Sequence, residues 1–91
     1  MDQAKQCIND IKIILDQLDQ DPNQYKKLVR EILFILASLP EEHSDYATFR
    51  MTGRNLQNSY KSTLASKIPS FKNGLETVKL NLEYLLSKYS K

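Results

Sequence analysis

The sequence predicts an all-α fold, an antiparallel up-down-up-down four-helix bundle, and three observations predict it. Four stretches carry apolar residues three and four apart, the spacing that lines one face of an α-helix. Proline or small polar residues punctuate the chain between them, with short breaks. No stretch alternates apolar and polar residues for long enough to make a strand. Short connections make successive helices antiparallel neighbours, so four such faces close on one core. The expected helices cover about residues 3–18, 23–39, 41–63 and 69–89 of a single domain, 1–91.

In the first helix Ala4, Ile8, Ile11, Leu15 and Leu18 share a face. Asp19–Gln20–Asp21–Pro22–Asn23 then breaks it. Pro22 lacks a backbone N–H and has a fixed φ, which suits the first turn of a second helix with Asp21 as its N-cap. That helix sets Tyr25, Leu28, Ile32, Ile35, Leu36 and Leu39 on one side, and Val29 and Leu33 widen the stripe. Such breadth predicts a central helix touching two neighbours. Its run from Ile32 to Ala37 is the longest apolar stretch and reads as the most buried helix. The run is too short to cross a bilayer, which takes about 18 or more apolar residues.

Ser38 and Glu41 have capping-box spacing around Pro40, which predicts a tight turn into the third helix. There Tyr46, Phe49, Gly53, Leu56, Tyr60 and Leu64 form the inward stripe. Glycine inside a helix costs about 1 kcal/mol relative to alanine, so Gly53 predicts a close approach to a neighbouring helix. The segment from Ala65 to Ser70 is the last break. Beyond it Phe71, Leu75, Val78, Leu82, Leu85 and Tyr89 make the cleanest stripe in the chain.

Ninety-one residues, 41% hydrophobic and 26% charged, give an ordinary globular composition with room for one core. The net charge of +2 is too small to argue for nucleic acid, but it is unevenly spread. Residues 1–45 hold five Lys/Arg against nine Asp/Glu, and residues 46–91 hold eight against two. That asymmetry either holds two helical hairpins together or offers a basic surface to an acidic partner. The N-terminal residues lack the basic and apolar regions of a secretion signal, which a processed chain would lack too.

Catalytic and metal chemistry finds little support. Cys7, the single cysteine, reads as a half-buried packing residue. His43 stands among Glu41, Glu42 and Asp45. One imidazole beside acids at a helix start reads as a capping region whose carboxylates meet the helix dipole, and it lacks the ligand spacing of a metal site. Glu76 and Glu83 could face one way, but paired catalytic carboxylates need a cleft that a small bundle rarely has. No nucleophile triad or phosphate loop can be assembled. The expectation is a protein that is not an enzyme and takes no cofactor or metal.

Binding is the better prospect. Leu80 and Tyr84 lie opposite the main stripe of the fourth helix, and Ile13, Phe34 and Met51 are likewise off their helices' faces. Clustered, they would mark a partner surface; otherwise the stripes are rotated by a residue, or the fourth helix is buried on both sides. Arg50, Arg54, Asn58 and Lys61 fall at i, i+4, i+8 and i+11 of the third helix, beside Met51. That strip is either a solvated face or a dock for acidic protein or phosphate. Nucleic acid is disfavoured because no aromatic residue interleaves with the strip and the N-terminal half is acidic. The candidate partner-binding residues are therefore Arg50, Met51, Arg54, Lys61, Leu80 and Tyr84.

Several local cues come in a familiar order. Asn9–Asp10–Ile11 opens the first helix, Asp21–Pro22–Asn23 precedes the second, and Phe49 and Met51 sit in the third. Tyr60–Lys61–Ser62, Ile68–Pro69, and Leu75 followed by Leu82–Glu83–Tyr84–Leu85–Leu86 complete the series. Together they resemble the photosystem II assembly and repair factors, small extrinsic four-helix lipoproteins of cyanobacteria and chloroplasts. The chain departs from them at Ser59, where a His is expected, in a short loop between helices two and three, and in having no lipoprotein signal before Cys7. The resemblance implies a divergent or processed, non-catalytic member that docks on photosystem II core subunits and is thylakoid-associated. A second resemblance, to LYR-motif adaptors, rests on Leu28–Val29–Arg30–Glu31, Arg54, Tyr60–Lys61 and the helix from Phe71, with Val29 in place of the motif's Tyr. The alternative expectation is a soluble helical regulator or adaptor, LYR-like or immunity-type, in the cytoplasm.

Overall fold

The structure is a computed structural model that describes residues 2–65 and 71–89, with the side chains of residues 71–73 outside that description. Helix α1 spans Gln3–Gln20. A 3-10 turn, Pro22–Gln24, leads into α2, Tyr25–Leu36. Helices α3, Tyr46–Ala65, and α4, Phe71–Lys88, complete the chain. Among the described residues there is no strand, and the protein is an all-α bundle of four helices. Helix α1 packs on α2 and α4, α3 packs on α2 and α4, and α2 also meets α4. Cys7 Sγ lies 3.7 Å from Ser38 Oγ, which sets the start of α1 beside the chain leaving α2. Cys7 itself is half-buried.

The core takes side chains from every helix. Ile8, Ile11 and Leu18 of α1, Leu28 and Ile32 of α2, Phe49 and Leu56 of α3, and Val78, Leu82 and Leu85 of α4 are essentially inaccessible to solvent. Leu75 is also buried and Tyr89 partly so, while the stripe position Phe71 has its side chain outside the described part. Ile14, absent from the predicted stripe, joins the core beside Leu15.

Local chemistry explains where the helices start and stop. Asp2 caps α1, its Oδ1 accepting from Ala4 N at 2.8 Å. The helix runs two residues past Leu18, to Gln20, and Asp21 N closes it on Gln17 O at 3.0 Å. Asp21 Oδ1 then accepts from Asn23 N at 3.2 Å, the N-cap expected, although it caps a 3-10 turn rather than the α-helix itself.

The connection after α2 departs from expectation. Helix α2 stops at Leu36, and residues 37–45 form successive turns before α3 begins at Tyr46 instead of Glu41. Ser38 does not cap a following helix; its hydroxyl donates back to Ile35 O at 2.7 Å. With Pro40 unable to donate, the chain turns through His43 N to Pro40 O and Tyr46 N to His43 O, both 3.0 Å. Leu39, predicted on the helix, is buried from this connection. Glu41 and Glu42 consequently stand outside the first turn of α3 and do not meet its dipole. At the other end α3 reaches Ala65, and the remainder of the predicted break, 66–70, lies outside the described residues.

The α3 stripe also shifts. Thr52 is buried between Phe49 and Leu56, whereas Leu64 is exposed. Eight residues past Leu56 a helix has turned through about 80°, which carries Leu64 off the core side.

Two glycines differ sharply. A Cβ on Gly53 would meet Leu36 Cβ at 3.6 Å, an ordinary contact. On Gly74 it would stand 2.8 Å from Tyr25 Cε2 and 2.9 Å from Cζ. The close approach that Gly53 suggested is found at Gly74. There α4 presses on a fully buried Tyr25 ring, which lies 5.7 Å from the Tyr60 ring at an interplanar angle of 30°. Burial pushes the Tyr25 phenol up, and a hydrogen bond with Thr63 opposes that shift.

Candidate partner-binding surface

Charge is uneven between the helices as well as between the halves of the sequence. Helices α2 and α3 carry Lys26, Lys27, Arg30, Arg50, Arg54 and Lys61 against one acid, Glu31. Helices α1 and α4 mix both signs. The basic surplus therefore belongs to one pair of adjacent helices, and it borders their outer groove.

That groove is built from the two helices' flanks. Leu33 and Leu36 of α2 and Gly53 of α3 line a hollow of about 350 Å³ with Arg50, Arg54 and Gln57. Leu33 and Gln57 also line a second hollow, about 380 Å³, together with Arg30, Phe34, Tyr60 and Lys61. Sharing those two residues sets the hollows side by side along the α2–α3 face. Phe34 is 77% exposed, more than any other large hydrophobic side chain among the described residues, and it stands where Arg30 and Lys61 converge. A phenyl ring left in water forfeits roughly 1.5–3 kcal/mol that burial would supply, so a partner covering it gains affinity.

The six residues singled out from the sequence fall into separate groups. Arg50, Arg54 and Lys61 are exposed and border the α2–α3 groove. Met51, 67% exposed on α3, lines neither this groove nor the one between α1 and α4. Leu80, 73% exposed, lies in that α1–α4 groove, and Tyr84, 65% exposed, projects from α4. Exposure settles one open question: Leu80, Tyr84, Met51, Phe34 and Ile13 are surface residues, and α4 is not buried on both sides.

The α1–α4 groove is the larger, about 740 Å³, with Leu15, Leu80 and Leu86 among charges of both signs. Glu76 and Glu83 do share it, flanking Lys79, whose Nζ lies 3.2 Å from Asp19 Oδ1. Those charges largely compensate one another, so this groove has weak means of selecting a partner by charge.

Residues that sequence reasoning missed are Arg30 and Leu33, with Phe34 noticed only as off its face. Phe34 sits inside the apolar run that reads as the most buried helix, yet one side of α2 is open to solvent. Its spacing from Ile32 and Leu36, two residues each way, was the available signal: two residues turn a helix by about 200°, to the opposite side. One ground for disfavouring nucleic acid is also corrected. Phe34 of α2 and Tyr60 of α3 line one hollow with Arg30 and Lys61, because α2 brings a ring to the strip from outside α3.

Titratable groups with displaced pKa values lie elsewhere. His43 Nδ1 accepts from Asp45 N at 3.0 Å, which leaves the proton on Nε2 to be donated to Asp2 Oδ1 at 2.9 Å. That hydrogen bond, with the one from Ala4 N, holds the Asp2 carboxyl below its ordinary value. Lys88 Nζ donates to Asp45 Oδ1, which raises the Lys88 pKa. The cluster around His43 thus fastens the start of α1, the 37–45 connection and the end of α4. Among the described residues no group of three or more His, Cys, Asp or Glu side chains is placed to hold a metal ion, and no helix is long and apolar enough to cross a membrane.

No protein-family model matches this chain, and neither a curated protein nor a solved structure does.

Proposed function

We propose that this protein is a non-catalytic protein-binding module whose α2–α3 face receives an acidic region of a partner. One observation carries the reading: Phe34, 77% exposed, stands beside Arg30 and Lys61 in a groove whose other end is bordered by Arg50 and Arg54. Apolar area supplies affinity there, and cations of one sign steer and orient the partner.

The resemblance to photosystem II assembly and repair factors supports a narrower form, in which the partners are core subunits of that complex. The broader form includes a soluble helical regulator or adaptor. A tagged pull-down with membrane and soluble fractions kept apart tests both, comparing the natural chain with a Phe34→Ser, Arg54→Glu double variant. Capture lost in the variant, at an unchanged thermal midpoint, is the expected result. Photosystem II core subunits in the membrane fraction would support the narrow form, and a soluble partner would remove it. Capture indifferent to both substitutions would overturn the surface.

A further inference from the structure

Resting on that reading of the α2–α3 face, we infer that its occupant is an acidic amphipathic helix of a partner protein, laid lengthwise in the groove. The groove is concave, with aliphatic Leu33 and Leu36 lining it between two helices, a shape that accepts a rod. Its cations repeat with helical period: Arg50, Arg54 and Lys61 stand at i, i+4 and i+11 along α3. At about 1.5 Å per residue they cover about 16 Å, three turns. A helix lying alongside would meet all three cations with acids of the same spacing on one face. An extended strand, rising about 3.3 Å per residue, would reach Arg54 two residues on but Lys61 five residues on, from its opposite face. The match therefore favours a helix.

Phe34 and Arg30 complete the complementarity from α2. An apolar position of the incoming helix covers Phe34, with acids toward Arg30 and Lys61, which line the same hollow. Nucleic acid fits less well. Tyr60 lies against Tyr25 and Phe49 is buried, which leaves Phe34 and the half-buried Tyr46, in different hollows, as the rings available for stacking, and Leu33 and Leu36 are aliphatic. A bilayer fits less well again, because a flat surface cannot enter the hollow beneath Arg50 and Arg54.

Fluorescence anisotropy with the full chain tests this. The probe is a labelled peptide of about 15 residues, long enough to span the groove, with Leu at helical period and Glu flanking it. A counterpart carries Lys in place of Glu. The Glu peptide is expected to bind, to gain helicity on binding by circular dichroism, and to weaken as salt is raised. Arg50→Glu with Arg54→Glu should weaken it about tenfold or more, and Phe34→Ser should weaken it without moving the thermal midpoint.

Equal binding of the Lys peptide would overturn the inference. So would tighter binding of a single-stranded oligonucleotide or of phosphatidylglycerol vesicles. A concentration-dependent rise in mass abolished by Arg54→Glu would place a second copy in the groove and overturn it as well. If pull-down capture depends on Phe34 and Arg54 while the Glu peptide fails to bind, the helical occupant falls and the surface stands. If capture ignores both residues, both readings fall.

Discussion

The cluster around Tyr25 and the cluster around His43 both tie α4 to the rest of the bundle, by different means. At Tyr25, α4 approaches so closely that a Cβ on Gly74 would stand 2.8 Å from the ring, which is fully buried and lies against Tyr60. At His43 the joining groups are polar: His43 to Asp2, Asp45 to His43, and Lys88 to Asp45. Buried packing fails abruptly when volume changes, because the surrounding atoms cannot relax fully. A partly solvated polar cluster loses less per contact and answers to pH. The Tyr25 cluster should therefore dominate stability, and the His43 cluster should tune it.

The largest expected effect is at the first cluster. Gly74→Ala should destabilise the bundle even though alanine is the better helix former by about 1 kcal/mol, because overpacking a filled core costs about 1–3 kcal/mol. Denaturant unfolding measures the balance; a gain in stability would show that the Tyr25 ring moves aside at little cost. The matching change at the looser contact has the opposite sign. Gly53→Ala should raise stability by up to about 1 kcal/mol, since its Cβ meets only Leu36 at contact distance. A loss there would mean that α2 and α3 are as tightly opposed as α4 and Tyr25.

The smallest effect belongs to the polar cluster. The folded Asp2 carboxyl lies below its ordinary value of 3.8, so its contribution is fully present above that value and is lost as pH falls through the lower, folded value. Thermal midpoints taken from pH 7 downward should fall less steeply below pH 3.8 for Asp2→Asn than for the natural chain. Parallel curves would show that the His43 cluster contributes nothing to acid stability. Alkali does not separate the two clusters: Lys88 and Tyr25 both have raised pKa values, so each loses its contribution as pH rises past its ordinary value.

Much of the helical pattern was legible because burial imposes a period. Ile8, Ile11, Leu15 and Leu18 could be placed on the core side of α1 from spacing alone, and Leu75, Val78, Leu82 and Leu85 likewise on α4. The same periodicity put Met51, Leu80 and Tyr84 off the main stripes, and the structure decided that they are exposed. Helix ends were harder. A capping-box spacing at Ser38 and Glu41 cannot reveal that the Ser38 hydroxyl will turn back to Ile35 O instead. Both hydrogen bonds are local, and the path of the connection chooses between them.

The candidate surface was half legible for a related reason. Arg50, Arg54 and Lys61 share one helix, so their common face follows from the helical repeat. Arg30, Leu33 and Phe34 belong to another helix, and nothing in their own spacing says that they border the same groove. The sequence by itself determined the all-α class, most of the inward stripes and the basic strip of α3, all consequences of periodicity within single helices. Only the tertiary structure decided which glycine faces the tighter contact, what His43 fastens, and that Phe34 shares a hollow with Arg30 and Lys61. Each of those depends on how two helices lie against each other, and that distance and rotation come from the packing of side chains far apart in the chain.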